Sequence, residues 1–170
     1  MVHRSYEQEL KSDASASAYK ARTLLERMLD QAEQANLEAL PLVNRPCTGN
    51  LLQLRKRVAL EPFLRSVNLV RDGVINCTSL FGPVHEVDDR SVYTQDKLLL
   101  MRGNQVRQNH PLLVVRHDRG RDAVLSAIDS TQLSFMLAMS SAARNLYLQA
   151  DTAWIEESAH YQNPPLRLHS

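Results

Sequence analysis

The chain contains two cysteines, and their positions constrain its fold more than any other feature of the sequence. Cys47 lies between Pro46 and Gly49, and the second cysteine follows thirty positions later in the segment Ile75-Asn76-Cys77-Thr78-Ser79-Leu80-Phe81-Gly82. A bond between the two thiols would require the fold to bring these segments together. The residues alone leave open whether that bond forms.

Composition predicts a single globular domain. The chain has 170 residues, of which 44% are apolar and 23% charged, which is enough for one domain with its own core. The formal charge is +1, and no basic block is longer than Arg55-Lys56-Arg57, so nucleic acid is not an expected partner. No apolar run reaches the roughly 18 to 20 residues of a membrane helix. No secretion signal stands at the start, so we expect either a cytosolic chain or a segment of a longer protein.

Residues 5–39 predict one long helix. They contain neither Pro nor Gly and are rich in Ala, Leu, Glu, Gln and Arg, which favour helices. Such a helix would be about 50 Å long, so one end must project from a small domain. Its small and apolar residues are spaced alternately four and three apart, as in a heptad seam: Ala14, Ala18, Ala21, Leu25, Met28, Ala32, Ala35 and Ala39. The seam fits a helix packed on its own domain, a helix paired with a second copy, or one that continues a membrane helix.

The next segments predict a short helix and a hairpin. Pro41 ends the long helix, residues 41–49 form a linker, and a second helix covers residues 51–64 with Asn50 or Thr48 as its cap. Its predicted apolar face consists of Leu51, Leu54, Val58 and Phe63. Residues 66–70 and 74–80 are β-prone runs around Asp72-Gly73, a pair that suits a tight turn. Cys77 is therefore predicted on a strand, which Gly82-Pro83 ends, and residues 83–96 are predicted as a polar loop.

The second half predicts more antiparallel sheet. Strands are predicted at residues 98–101, 112–116 and 122–128, with a turn at residues 118–120. Asp129 or Ser130 is predicted to cap a helix through about Ala142. Two short strands, at residues 145–149 and 152–156, close the domain, and residues 163–170 form a linker or an unstructured tail. The fold class is therefore α+β: a long N-terminal helix plus short helices packed on one twisted antiparallel sheet of about five or six strands.

Other catalytic or metal-binding motifs are weak in this sequence. The two cysteines do not form the CxxC pair of a thioredoxin-like catalyst, and zinc needs three or four suitably spaced ligands. The histidines His85, His110, His117 and His160 are scattered, and no GxSxG or P-loop pattern occurs. Arg116-His117-Asp118 could form an anion site or a triad, but adjacent strand residues point to opposite faces, so we interpret it as a polar strand end. No catalytic, cofactor-binding or metal site is predicted.

The cysteine segment resembles a known family. Cys47, the thirty-residue interval and the run Val74 to Gly82 are similar to the CSS-motif sensor domain of bacterial cyclic-di-GMP phosphodiesterases. The motif positions here are Cys77, Thr78, Ser79 and Gly82, and Thr78 replaces the middle serine of the pattern. Threonine keeps the hydroxyl and adds a methyl group that suits a strand.

The resemblance implies an architecture and a location. It implies a periplasmic domain covering residues 1–170, with a juxtamembrane helix at 1–40, a PAS/Cache-like α+β sensor body at 41–163 and a linker at 164–170. Two flanking membrane helices and a cytoplasmic EAL phosphodiesterase domain would belong to the parent protein. The parent's catalytic domain would need Mg or Mn, whereas this domain would bind no cofactor. Expected partners are periplasmic thiol oxidoreductases and, through the long helix, a second copy of the chain.

The resemblance also implies a role for the cysteines. The periplasm is oxidising, which favours a bonded pair of Cys47 and Cys77. Such a bond closes a loop of about 31 residues and would stabilise the fold by roughly 3.5 to 4 kcal/mol. It could act as a redox switch or as a permanent staple. A second hypothesis is a small-molecule receptor, in which the sheet and the loop from Pro83 to Asp96 enclose a ligand and the disulfide only stiffens the walls. Neither hypothesis makes this chain an enzyme.

Overall fold

The structure begins with one long helix. The computed structural model describes residues 2–95, 97–101, 112–129, 131–134, 147–150, 153–156 and 161–162. Helix α1 (Val2–Ala39) has 38 residues and is about 57 Å long at 1.5 Å per residue. Its backbone hydrogen bonds run without interruption because the segment lacks proline. The predicted long helix is confirmed.

The second half of α1 packs on the body of the domain. Ala32, Ala35 and Ala39 are buried in the core between the helices and the sheet, and Leu25 and Met28 pack against that core. The small alanine side chains let the helix approach the sheet closely. Ala21 is buried in a separate small cluster with neighbouring residues of α1. From residue 25 onward the predicted seam therefore faces the chain's own sheet. The side chain of Ala14 lies outside the described ones.

A short turn joins α1 to the second helix. A 3-10 turn (Leu40–Asn44) follows α1 directly, with Pro41 among its first residues, where a missing N–H removes no intrahelical bond. Helix α2 (Cys47–Leu60) begins after Pro46, which provides no side-chain cap. The predicted limits of this helix, 51 and 64, were wrong, and so were its predicted caps, Asn50 and Thr48, which lie inside the helix. Pro62 ends α2 earlier than predicted because a residue that precedes proline avoids the helical region.

Six antiparallel strands form the main sheet, in the order β3-β2-β1-β6-β5-β4. The strands are β1 (Leu64–Arg71), β2 (Val74–Thr78), β3 (Gly82–Val87), β4 (Leu98–Met101), β5 (Leu112–Arg119) and β6 (Asp122–Asp129). The predicted hairpin joins β1 to β2 through Asp72 and Gly73, whose φ values of 54 and 79 suit the twist of a tight hairpin turn. The predicted α+β class is confirmed.

The sheet differs from the prediction in one additional strand and in several strand boundaries. Strand β1 begins at residue 64 rather than 66, and β2 ends at residue 78 rather than 80. Residues 83–96 were predicted as a loop, but β3 pairs with β2 as the edge strand of the sheet. Pro83 is tolerated there because an edge strand can lack one N–H without losing a ladder bond. Strand β5 runs on to Arg119, so the turn lies at Gly120 and Arg121 rather than at residues 118–120.

The last part of the chain adds a turn of helix and a small sheet. Residues 131–134 are helical, and Asp129 caps them because its Oδ1 accepts the backbone N–H of Thr131 at 2.8 Å. The predicted continuation to Ala142 lies outside the described residues, as does the predicted tail at 163–170. Strands β7 (Tyr147–Ala150) and β8 (Ala153–Glu156) pair as predicted, and β8 also pairs with β9 (Tyr161–Gln162), which was not predicted.

The two faces of the main sheet carry separate apolar clusters. On the helix face, α1 packs on β1, β5 and β6, and α2 packs on β1, β2 and β3. The core there includes Val43, Leu54, Val67, Leu69, Val115, Val124 and Ile128. The opposite face, which we call the distal face, carries Val70, Leu112, Val114, Ala123, Leu125 and Ala127.

Candidate functional site

The two cysteines meet at the junction of α2 and β2, and their sulfurs are bonded. Their alpha carbons lie 5.3 Å apart, a separation that disulfides require. Cys77 is 1% exposed, whereas Cys47 in the first turn of α2 is only partly buried. The predicted pair is therefore present, and the bond ties the start of α2 to the second strand.

A β-bulge turns Cys77 towards the helices. Leu69 pairs with Cys77 and Val70 with Ile75, so Asn76 is an extra residue in β2. A slip of one residue reverses which face the following side chains occupy. Ile75 accordingly packs on the distal face, while Cys77 joins the core beneath the helices. No residue pattern predicted this bulge, without which Cys77 would face away from Cys47.

The hydroxyl groups that follow Cys77 shape the end of the strand. Thr78 Oγ1 accepts the backbone N–H of Phe81 at 2.9 Å, which closes a tight turn. Ser79 Oγ accepts the backbone N–H of Val67 at 3.0 Å, and the backbone N–H of Ser79 donates to the carbonyl of Val67 at 3.1 Å. Both side chains are buried. Because the bond of Thr78 needs only a hydroxyl, threonine at this position performs the task that serine would perform.

Gly82 completes this turn. Its φ of +78 lies in the left-handed region, which glycine adopts without strain. A Cβ built at Gly82 would lie 3.4 Å from Leu51 Cδ1 of α2. We refer to residues 77–82 as the motif corner. All four motif residues predicted from the sequence therefore lie in one turn, and each has a structural task there.

One face of α2 contacts the motif corner. Cys47 bonds to Cys77, Leu51 packs against Gly82, and Arg55 Nε donates to the carbonyl of Ser79 at 2.9 Å. These α2 residues are spaced four apart, so they lie along one side of the helix. The prediction missed Leu51 and Arg55 as corner contacts because it started the helix at Leu51. The i, i+4, i+8 spacing from Cys47 is the signal that could have found them.

Buried amides connect α2 to α1 and α1 to the sheet. Asn50 Nδ2 donates to the carbonyls of Leu42 at 2.7 Å and Arg45 at 3.2 Å, which fixes α2 to the turn after α1. Asn36 Nδ2 donates to Val115 O at 3.0 Å, and Ser126 Oγ donates to Asn36 Oδ1. A buried polar group is costly when unpaired, so these bonds fix the position of α1. A continuous set of contacts thus leads from the motif corner to α1.

A cavity of about 600 Å³ opens on the distal face. Its floor is formed by β1, β5 and β6, including Asn68, Val114 and Ala127, and one wall comes from residues 84–93. The motif corner forms another part of the lining through residues 78, 80 and 81. The volume is typical of sites that bind small molecules. The cavity and the disulfide therefore lie on opposite sides of the same short turn.

Arg116 holds the wall of this cavity. Its guanidinium is fully buried and binds both oxygens of Asp88, whose side chain is 2% exposed. Its Nε donates to Asp118 Oδ1 at 2.8 Å, and its guanidinium carbon Cζ lies 4.9 Å from the centre of the Tyr93 ring. The interpretation of residues 116–118 as a polar strand end was therefore wrong for Arg116. As predicted, His117 points the other way, towards Glu33 of α1.

Burial changes the ionisation of this cluster. Burial raises the pKa of Tyr93 to about 12, although the charge of Arg116 acts in the opposite direction. Burial also lowers the pKa of Arg116, but its bonds to Asp88 and Asp118 outweigh that effect, and the net pKa lies above its ordinary value. Arg116 is therefore a permanent cation and Tyr93 a neutral phenol at physiological pH. The cluster is therefore a buried ion pair beside a neutral ring.

Comparison with known proteins agrees with this site. The family model described as "CSS motif domain associated with EAL" matches residues 10–168. The chain belongs to the CSS-motif family. A "Probable cyclic di-GMP phosphodiesterase PdeD" from Escherichia coli strain K12 is 38% identical over 58 residues, which cover 34% of this chain and 11% of that protein. A second such protein, PdeG, is 25% identical over 124 residues, which cover 72% of this chain and 24% of that protein.

The CSS-motif chain spans less than a quarter of the length of these relatives. Within the residues that the structure describes, no helix is long and apolar enough to cross a membrane. Nor do three His, Cys, Asp or Glu side chains converge in that part of the chain as a metal site would require. His85 is exposed on β3, and His110 and His160 lie outside the described residues.

Proposed function

We propose that this CSS-motif chain is a non-catalytic, periplasmic redox-sensing domain that regulates the EAL phosphodiesterase domain of a longer membrane protein. The observation that carries the proposal is the Cys47–Cys77 bond between α2 and the motif corner. The two relatives, whose names describe probable cyclic di-GMP phosphodiesterases, and the EAL association of the family support the proposed output.

The burial of the two cysteines supports a defined route of reduction. The thiolate of a dithiol oxidoreductase attacks the sulfur of Cys47, which is the less buried of the two residues, and the S–S bond breaks as Cys77 leaves as a thiolate and takes up a proton. The second thiolate of the reductant then attacks the mixed disulfide and releases Cys47. The reductant ends as a disulfide, and the domain ends as a dithiol.

Reduction would loosen the attachment of α2 without unfolding the domain. The contacts of Leu51 with Gly82 and of Arg55 with Ser79 remain, but a covalent bond is replaced by weak ones. Because Asn50 ties α2 to the turn after α1, a shift of α2 would reach α1. The seam of α1 faces the sheet from residue 25 onward, so the proposed homodimer would use the exposed side of this helix or its first turns.

The test compares cyclic di-GMP hydrolysis by the full-length parent protein in membrane vesicles, oxidised and reduced. We expect the two states to hydrolyse at different rates. Cys47→Ser, Cys77→Ser and the double variant should all match the reduced wild type and ignore reductant. Thr78→Ser is the matched control, since it keeps the hydroxyl and should keep the redox response. Equal rates in the two states would make the disulfide a permanent staple.

A second candidate function is a small-molecule receptor, and the cavity on the distal face favours it. Residues 84–93, part of the segment predicted to enclose a ligand, line that cavity together with the motif corner. In this case the disulfide stiffens one wall. Neither function requires a catalytic residue, a cofactor or a metal in this domain, and the Mg or Mn requirement would belong to the parent's catalytic domain.

A further inference from the structure

The cavity on the distal face has a definite chemical character, which indicates the kind of molecule that would bind there. Most of its lining is apolar, and three of the large hydrophobic side chains that the structure shows exposed belong to it: Phe81, Val87 and Val92. Exposed apolar residues gathered around a concave surface are typical of binding sites. A ligand with an apolar body would therefore bury surface that water now contacts.

Among the residues that the structure describes, the charged groups that line the cavity are acidic. Among the described residues that line it, Glu86, Asp88 and Asp89 carry carboxylates and none carries a cation. Asp88 is neutralised by Arg116 behind the wall. In the part of the chain that the structure describes, neither Glu86 nor Asp89 has a cationic partner, and both are exposed at the mouth. These two carboxylates contribute a negative potential at the mouth, which disfavours anions.

The polar groups of the floor are uncharged. Asn68 Nδ2 donates to Ser66 Oγ at 3.2 Å and to Leu125 O at 3.4 Å, which fixes the amide in place. Thr78 adds a hydroxyl whose oxygen already accepts the N–H of Phe81. Such groups can hydrogen-bond a hydroxyl or an amine but cannot balance a buried negative charge.

We propose that this cavity binds a small amphipathic molecule with an apolar, ring-sized body and a neutral or cationic polar group, and that it excludes anions. The proposal rests on the second candidate function and does not need the disulfide to switch. It names the ligand class from three features: an apolar lining, an acidic mouth and a neutral polar floor.

A matched pair of fluorescent probes tests the ligand class on the oxidised 170-residue chain. N-phenylnaphthylamine is neutral, and anilinonaphthalene sulfonate has the same ring system with an added anionic group. At low salt we expect the neutral probe to bind at least about tenfold more tightly, because the sulfonate must approach two carboxylates. The double variant Glu86→Gln with Asp89→Asn should reduce this preference to within about threefold. Glu26→Gln, which removes one exposed carboxylate of α1 on the other side of the sheet, should leave the preference unchanged.

A second set of variants tests the location. Ala127 is buried in the cavity floor, so Ala127→Phe should fill part of the cavity and weaken both probes at least about tenfold. If that variant does not fold, as judged by circular dichroism, Leu99→Trp from β4 narrows the same cavity and takes its place. Probe binding that neither variant changes would overturn the proposal.

The two sets of variants separate the possible failures. If both probes bind equally well and Ala127→Phe abolishes their binding, the receptor function stands and the proposed ligand class is overturned. Failure of both probes to bind the folded chain would overturn both. A phosphodiesterase test that shows no redox response would leave this proposal untouched.

Discussion

At the scale of single residues, the buried ion pair of Arg116 and Asp88 is the feature that the sequence concealed most completely. Arg116 stands in the middle of a strand, and its partner lies 28 positions earlier, in a segment predicted as a polar loop. Burying two charges is costly, and their attraction offsets that cost only when the geometry is good and the remaining hydrogen bonds are satisfied. Here both oxygens of Asp88, one oxygen of Asp118 and the ring of Tyr93 surround the guanidinium.

Removing one partner of this pair should therefore be severe. We expect Asp88→Asn to lower the free energy of unfolding by about 3 to 5 kcal/mol, because it leaves a buried cation without its main counter-charge. Urea denaturation of the oxidised chain measures the change. Asp72→Asn is the control, since Asp72 pairs with Arg121 at an exposed site, where such pairs contribute about 0 to 1 kcal/mol. A loss for Asp88→Asn as small as that of the control would show that water reaches Arg116.

At the scale of elements, local signals predicted the helices and the hairpin. The features that the sequence did not predict depend on contacts between residues far apart in the chain. The Pro- and Gly-free run predicted α1, and Asp72-Gly73 predicted the β1–β2 turn, because both depend on backbone preferences of neighbouring residues. The bulge at Asn76 has no such signature, since it depends on the pairing of β2 with β1. The disulfide was predicted as a pair, but the face of α2 that surrounds it was not.

Strand β3 and helix α2 show the same limit. Gly82-Pro83 predicted the end of a strand, yet this pair begins the edge strand β3, where proline is tolerated. Pro46 was assigned to a linker, yet it immediately precedes the first turn of α2. Proline and glycine mark a change of direction in the chain, but the sequence does not show which element follows.

Two glycines near α2 should respond to the same substitution in opposite ways. Gly82→Ala should lower the free energy of unfolding by about 1 to 2 kcal/mol, because alanine is strained at a φ of +78 and its Cβ would press on Leu51. Gly49→Ala should raise it by about 0.5 kcal/mol, because Gly49 lies in the first turn of α2 with open space around it and alanine favours helices. Urea denaturation of both variants with the disulfide intact gives the comparison. Effects of the same sign would contradict the proposed geometry of the motif corner.

At the scale of the whole molecule, the motif corner lies between two sites. Its helix side carries the disulfide to α2, and its distal side lines the cavity through residues 78, 80 and 81. A covalent bond at Cys77 restricts the positions that the following residues can adopt. In the oxidised chain the cavity wall should therefore already hold the conformation that binds a ligand. Binding to the oxidised chain should then lose less conformational entropy than binding to the reduced chain.

This arrangement makes redox state and ligand binding two sides of one equilibrium. If oxidised protein binds N-phenylnaphthylamine about fivefold more tightly than reduced protein, saturating probe must shift the dithiol–disulfide equilibrium towards the disulfide by the same factor, because the coupling free energy is reciprocal. The first factor comes from fluorescence titrations of the two states. The second comes from thiol quantification in a series of glutathione redox buffers, with and without probe.

Ala127→Phe, whose cavity is filled, should lose the effect of the probe on the redox equilibrium and keep the disulfide. Equal affinities in the two states, with no shift of the redox equilibrium, would mean that the motif corner holds its shape without the bond, and the disulfide and the cavity would then act independently.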